Sequence, residues 1–157
     1  MRLNFLLLIT AAALAAAACS SAGKIQNDDF TNTGFIAQNC FQVIVSASPE
    51  SGTYGLVNQR ESSYFAAKQK IPGKIHLAMA EYIINREIAD SPSGPPDGFN
   101  RQKTIMALEI DINRYKKNGY IAAEYYSEDN SVTLAYRIVD SGIKRRLNST
   151  AIELISD

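Results

Sequence analysis

Residues 58–88 read NQRESSYFAAKQKIPGKIHLAMAEYIINREI, and within them Tyr64, Ala67, Ile71, Ile75, Ala78 and Tyr82 recur at steps of three or four. That spacing stacks apolar side chains along one face of an α-helix, whose period is about 3.6 residues. Phe65, Met79, Ile83 and Ile84 widen the stripe, as expected of a helix that lies on a sheet. Asn58 followed by Glu61 predicts a capping box at the start, and the pattern runs out near Ile88. Pro72-Gly73 falls in the middle. Pro72 has no donor for the Lys68 carbonyl and clashes there, yet the stripe keeps its phase on both sides, which favours one kinked helix over two.

Upstream, Phe41, Val43, Val45 and Ala47 alternate with Gln42 and Ser46, the period-two pattern of a strand with one buried face. Turn residues at 48–52 end it. Downstream, residues 91–98 carry three of the five prolines and read as a loop. A second helix is expected from Asn100 as cap, with Ile105, Leu108, Ile112 and Tyr115 inward and Lys116-Lys117-Asn118-Gly119 closing it, the glycine as a left-handed stop. Leu108, Ile110 and Ile112 also alternate, so a strand there stays open as an alternative. Residues 120–126 and 132–140 read as two strands joined by the polar loop 127–130, with Val132, Leu134, Tyr136 and Ile138 facing inward. Residues from Gly142 onward show no clear period and are expected as a tail. The order strand, helix, helix, strand, strand predicts an α+β domain of two layers, a small antiparallel sheet with helices on one face.

The N-terminus has a different character. One positive charge, Arg2, precedes an apolar run from Phe5 to Ala18, the layout of a secretory signal peptide. As helix the run is about 21 Å long, short of the roughly 20 residues that cross a bilayer. Ala16, Ala17 and Ala18 before Cys19 resemble a bacterial lipobox, in which the signal is cut and the cysteine carries lipid. The alternative is an ordinary signal peptide with a chance cysteine at its end. From Ser20 to residue 39 the chain is mostly small and polar and reads as a flexible tether. The expected division is signal peptide 1–18, lipidated Cys19 and tether 19–34, and one domain 35–157. Serine, not aspartate, after the cysteine fits transfer to the outer membrane, with retention in the inner membrane as the alternative.

Sixteen basic residues stand against sixteen acidic ones, and losing Arg2 with the signal leaves one net negative charge. That balance argues against a dedicated nucleic-acid binder, which draws its affinity from a strong basic excess. With Cys19 spent on lipid, Cys40 has no partner for an intrachain disulfide. His76, the only histidine, lies next to the apolar stripe and reads as an ordinary helix residue. Cys40 and His76 are too few for a structural zinc site, and Glu109 and Asp111 point to different sides of the expected helix. No catalytic residue, metal site or cofactor beyond the covalent lipid is therefore expected. Lys144, Arg145 and Arg146 are the one concentration of positive charge, expected at a strand end either as a solvated patch or as a contact for phospholipid headgroups or peptidoglycan carboxylates.

The signal with its lipobox, the strand from Phe41, the helix opening Arg60-Glu61-Ser62 with Ala66-Ala67-Lys68, and the closing Tyr136-Arg137-Ile138 together resemble the LPP-twenty-type small lipoproteins of spirochaetes and related diderms. The resemblance spans roughly residues 35–147; Pro72-Gly73 departs from the uninterrupted helix of that pattern. It implies an outer-membrane lipoprotein without established enzymatic activity, periplasmic or surface-exposed, and carries no catalytic residues. The expected function is a lipid-anchored, non-catalytic structural or binding module of the cell envelope, held to the membrane by its lipid and facing an envelope protein or peptidoglycan. The alternative is a lipid-anchored enzyme using carboxylates and tyrosines.

Overall fold

The computed structural model describes residues 30–156; the signal segment, Cys19 and the tether up to residue 29 lie outside the described residues. Strands β1 (Gly34–Ala37), β2 (Cys40–Ala47), β3 (Gly119–Tyr126) and β4 (Val132–Val139) form one antiparallel sheet in the order β1-β2-β4-β3. Among the described residues four α-helices accompany it: α1 (Leu56–Asp90), α2 (Arg101–Ala107), α3 (Ile112–Lys117) and α4 (Ile143–Ser149). The class is α+β. The expected order of five elements is corrected to β1-β2-α1-α2-α3-β3-β4-α4.

Period-two patterning places the core. Phe41, Val43, Val45 and Ala47 of β2 lie opposite Ile138, Tyr136, Leu134 and Val132 of β4, and all eight are buried. They meet Ala67, Ile71, Ile75, Met79 and Ile83 of α1 in one cluster, each large side chain contributing about 1.5–3 kcal/mol by leaving water. The helical stripe is rotated slightly from the expected one: Met79 and Ile83 are fully buried, Tyr64, Ala78 and Tyr82 flank them, and Phe65 is 53% exposed.

The helix α1 runs through Pro72 as one element of 35 residues, as its unbroken phase implied. It begins two residues before Asn58, after Gly55 at φ 85°, and no side chain caps it, so the expected capping box is corrected. Asn58 sits inside the first turn and donates to the Tyr54 carbonyl at 3.1 Å. At 1.5 Å per residue α1 is about 52 Å long, roughly twice the span of an eight-residue strand. A second cluster lies on another flank of its C-terminal half, where Ala80 and Ile84 meet Ile105 of α2, with Ile152 and Leu154 beside them.

The C-terminal residues are therefore not a tail. Asn100 donates its amide to Ile155 O at 2.7 Å, and Phe99 bridges Ser156.

Four further expectations are corrected. Residues 100–117 form neither one helix nor a strand: Asn100 caps α2 by accepting from Lys103, the chain extends at Leu108, and Asp111 caps α3 by accepting from Arg114. The break turns Leu108 and Ile110 toward both clusters, while the Leu108 carbonyl accepts from His76 Nε2 at 2.9 Å. Gly119 is no left-handed stop but the first residue of β3, and a methyl added there would overlap the Tyr136 ring. Within the expected tether, residues 34–37 form β1, and Phe35 packs edge-on against Phe41 at 5.0 Å and Tyr82 at 4.9 Å. The hairpin loop spans residues 127–131, closed by Ser127 N to Ser131 O at 2.9 Å, with Asn130 at φ 60°.

Candidate functional site

The end of the sheet where β4 finishes gathers the positive charge. Ile143 and Leu147, four apart on α4, are both buried, so Lys144 and Arg145 between them face outward and Arg146 lies to the side. The C-terminal turn of α3 lies alongside, since the Val139 amide donates to the Asn118 carbonyl at 3.1 Å, and it adds Lys116 and Lys117, both exposed.

Asp140 organises this end. Its nearly buried carboxylate accepts from the Gly142 amide at 3.1 Å, pairs with Arg146, and lies 3.7 Å from Arg114 Nε. The Arg146 guanidinium beside it holds the carboxyl below its usual range, against the opposing effect of burial, and the same pair raises Arg146 above the ordinary arginine value. The basic triple of the sequence is thus divided. Lys144, Arg145 and Arg146 lie on a helix and not at a bare strand end, and Arg146 is spent on Asp140. Lys144 Nζ stands 5.6 Å over the Phe35 ring, and with Arg145 it borders a groove of about 870 Å³ that Gln38, Asn39, Ser141 and Asn148 also line. Two exposed cations among amides and hydroxyls suit an anionic ligand that also carries hydroxyl or acyl-amide groups.

Arg86 supports this surface from below, and nothing in its sequence context marked it. Its guanidinium donates to Leu147 O at 2.6 Å, Asn148 O at 2.5 Å and Thr150 O at 2.8 Å, adding to the Thr150 amide that Leu147 O already accepts at 3.4 Å and so closing the end of α4. Tyr82 adds a bond from its hydroxyl to Asn148 Oδ1 at 2.7 Å.

Cys19 lies outside the described residues. Burial pushes the Cys40 thiol up, with Arg137 offsetting part of the effect, so the thiolate that would react is disfavoured. His76 holds the α2–α3 connection, and Asp111 is a helix cap separated from the helix on which it was expected. Among the described residues no three His, Cys, Asp or Glu side chains stand together as a metal site, and no helix is long and apolar enough to cross a membrane. Comparison with protein-family models, with curated proteins and with solved structures finds no match.

Proposed function

We propose that this chain is a lipid-anchored, non-catalytic module of a bacterial cell envelope, held in the outer membrane through Cys19 and binding an anionic envelope polymer with its basic end. The observation that carries the proposal is the apolar run 5–18 closing on three alanines and Cys19. Likeness to LPP-twenty-type lipoproteins belongs to the same proposal and rests on the residues quoted for it. The chain between Cys19 and Phe30 reaches at most about 40 Å, so the domain stays near the bilayer. Phe30 packs 6.2 Å from Tyr125, toward the hairpin end, whereas Lys144 and Arg145 lie at the other end of the strands. The basic groove therefore faces away from the side on which the chain arrives, which favours the carboxylates of peptidoglycan over phospholipid headgroups as its partner.

Labelled palmitate should enter the wild type and not Cys19→Ser, and the wild type should fractionate with the outer membrane. Absence of label in the wild type overturns the anchor. Co-sedimentation with isolated sacculi should fall in Lys144→Ala/Arg145→Ala and at high salt, because screening at 1 M shortens the reach of exposed charge to about 3 Å. Unchanged pelleting removes the basic groove from the function.

A further inference from the structure

Large apolar side chains left in water are mostly scattered singly over the described residues, but three stand within four positions. Tyr54 is 84% exposed, Leu56 56% and Val57 71%. Leu56 and Val57 open α1, and Tyr54 comes just before the turn at Gly55, whose φ is 85°. The tip is held in place by hydrogen bonds. The Thr53 amide donates to Glu50 O, Gln59 Nε2 to Thr53 O and Asn58 Nδ2 to Tyr54 O, each at 3.1 Å. A group of apolar side chains fixed in this way and turned outward marks a surface that meets an apolar phase.

Its place in the fold says which phase. The first turns of α1 join the β3–β4 hairpin: Asn130 Nδ2 donates to Gln59 Oε1 at 2.8 Å, Arg60 Nε donates to Asn130 Oδ1 at 3.3 Å, and the Arg60 guanidinium stands 5.0 Å over the Tyr126 ring. Phe30 packs on Tyr125 toward this same end, and the chain from Cys19 to Phe30 reaches at most about 40 Å. The apolar tip therefore lies where the tether arrives, within its reach of the bilayer. Lys144 and Arg145 lie at the opposite end of the strands. Glu50, Glu61, Glu128 and Asp129 are exposed on the segments that meet at the tip, and their charge opposes anionic headgroups.

We infer that Tyr54, Leu56 and Val57 seat the domain on the bilayer that holds its lipid, on a zwitterionic phospholipid leaflet, with the hairpin end down and the basic groove away from the membrane. The inference rests on the lipid anchor proposed above and adds what that anchor does not supply. A lipid on a flexible tether limits distance, whereas a fixed apolar tip sets orientation. Leu56 and Val57 enter the boundary between headgroups and acyl chains, about 5–10 Å deep, and Tyr54 keeps its hydroxyl at headgroup level.

The chain contains no tryptophan, so a single introduced one reports its own surroundings. Full-length, lipidated Tyr54→Trp is reconstituted in phosphatidylcholine and phosphatidylethanolamine vesicles carrying lipids brominated at shallow or deep acyl positions. Its emission should be quenched, more by the shallow bromines than by the deep ones. Met106→Trp, at a site 75% exposed on α2 beside the far half of α1, should not be quenched. Adding Leu56→Glu/Val57→Glu to Tyr54→Trp should lower the quenching about fivefold, while palmitate labelling and flotation with the vesicles stay unchanged. An unquenched Tyr54→Trp chain that still floats overturns the inference and leaves the anchor standing, as does equal quenching at both sites or quenching indifferent to the glutamates. Shielding of the introduced tryptophan from both bromolipid and aqueous acrylamide assigns the tip to a protein partner and overturns it too. A chain that takes no palmitate and does not float fails the anchor itself, and the seating with it.

Discussion

Gly119→Ala separates two accounts of the same glycine. If Gly119 were a left-handed helix stop, alanine would be strained there and asparagine tolerated. The structure gives a different cause: Gly119 is extended in β3, and the added methyl would overlap the Cε1, Cζ and Oη atoms of Tyr136. Tyr136 is buried in the core face of β4, and its hydroxyl donates to the Lys116 carbonyl at 3.0 Å. Forcing the ring aside costs about 1–3 kcal/mol in overpacking, and the lost hydrogen bond about 1 more, for a total of about 2–4 kcal/mol. At about 4 °C per kcal/mol for a domain of this size, the melting temperature should fall by roughly 8–16 °C. Thermal unfolding by circular dichroism measures it, and Gly119→Asn should be at least as damaging as alanine. In a Tyr136→Leu background, which lacks the three overlapped atoms, Gly119→Ala should cost no more than about 0.5 kcal/mol. Strictly additive melts, or a tolerated asparagine, would refute the crowding account and return Gly119 to the role of a helix stop.

Other variants probe the core and the basic end. Ile75→Ala should destabilise by about 2–5 kcal/mol in denaturant unfolding, because Ile75 is fully buried between sheet and helix, while exposed Lys74→Ala should stay within about 0.5; equal effects would place the helix face wrongly. Arg86→Ala removes the guanidinium bonds to three carbonyls at the end of α4 and should remove amide-exchange protection from residues 143–150 before it affects β2; uniform loss would contradict a local role. The carboxyl of Asp140 lies below its ordinary value in the folded chain, so its contribution is present above the usual carboxylate range and lost as pH falls through the folded value. The stability gap between wild type and Asp140→Asn should accordingly narrow on acidification, and a gap independent of pH would show that the ion pair with Arg146 does not couple to folding. Cys40 should alkylate slowly at neutral pH, its thiol being raised by burial, and mass spectrometry showing rapid modification would contradict that.

The parts of the fold legible in the sequence are those in which one periodicity persists long enough to outvote its exceptions. Phe41 to Ala47 alternates over four buried positions, and α1 repeats its stripe for more than six turns, so Pro72 could not disguise it. The parts that escaped are short and obtain their order from elsewhere. The strand β1 has four residues and is held by Phe35 against rings of β2 and α1 that are distant in sequence. The helix α4 has two inward residues, Ile143 and Leu147, too few to establish a period, and its end is completed by Arg86, some sixty residues earlier. The same reason divides the basic triple. Charge density alone made Lys144, Arg145 and Arg146 equivalent, whereas Arg146 differs only because Asp140, nearly buried at the end of β4, requires a cation within reach. A carboxylate placed there without its partner would cost more than a surface ion pair returns, so the fold commits one of the three cations to Asp140 and leaves Lys144 and Arg145 for solution. Binding at this end should therefore follow Lys144 and Arg145, while stability should follow Arg146. A variant that lost both at Arg145 would contradict that division.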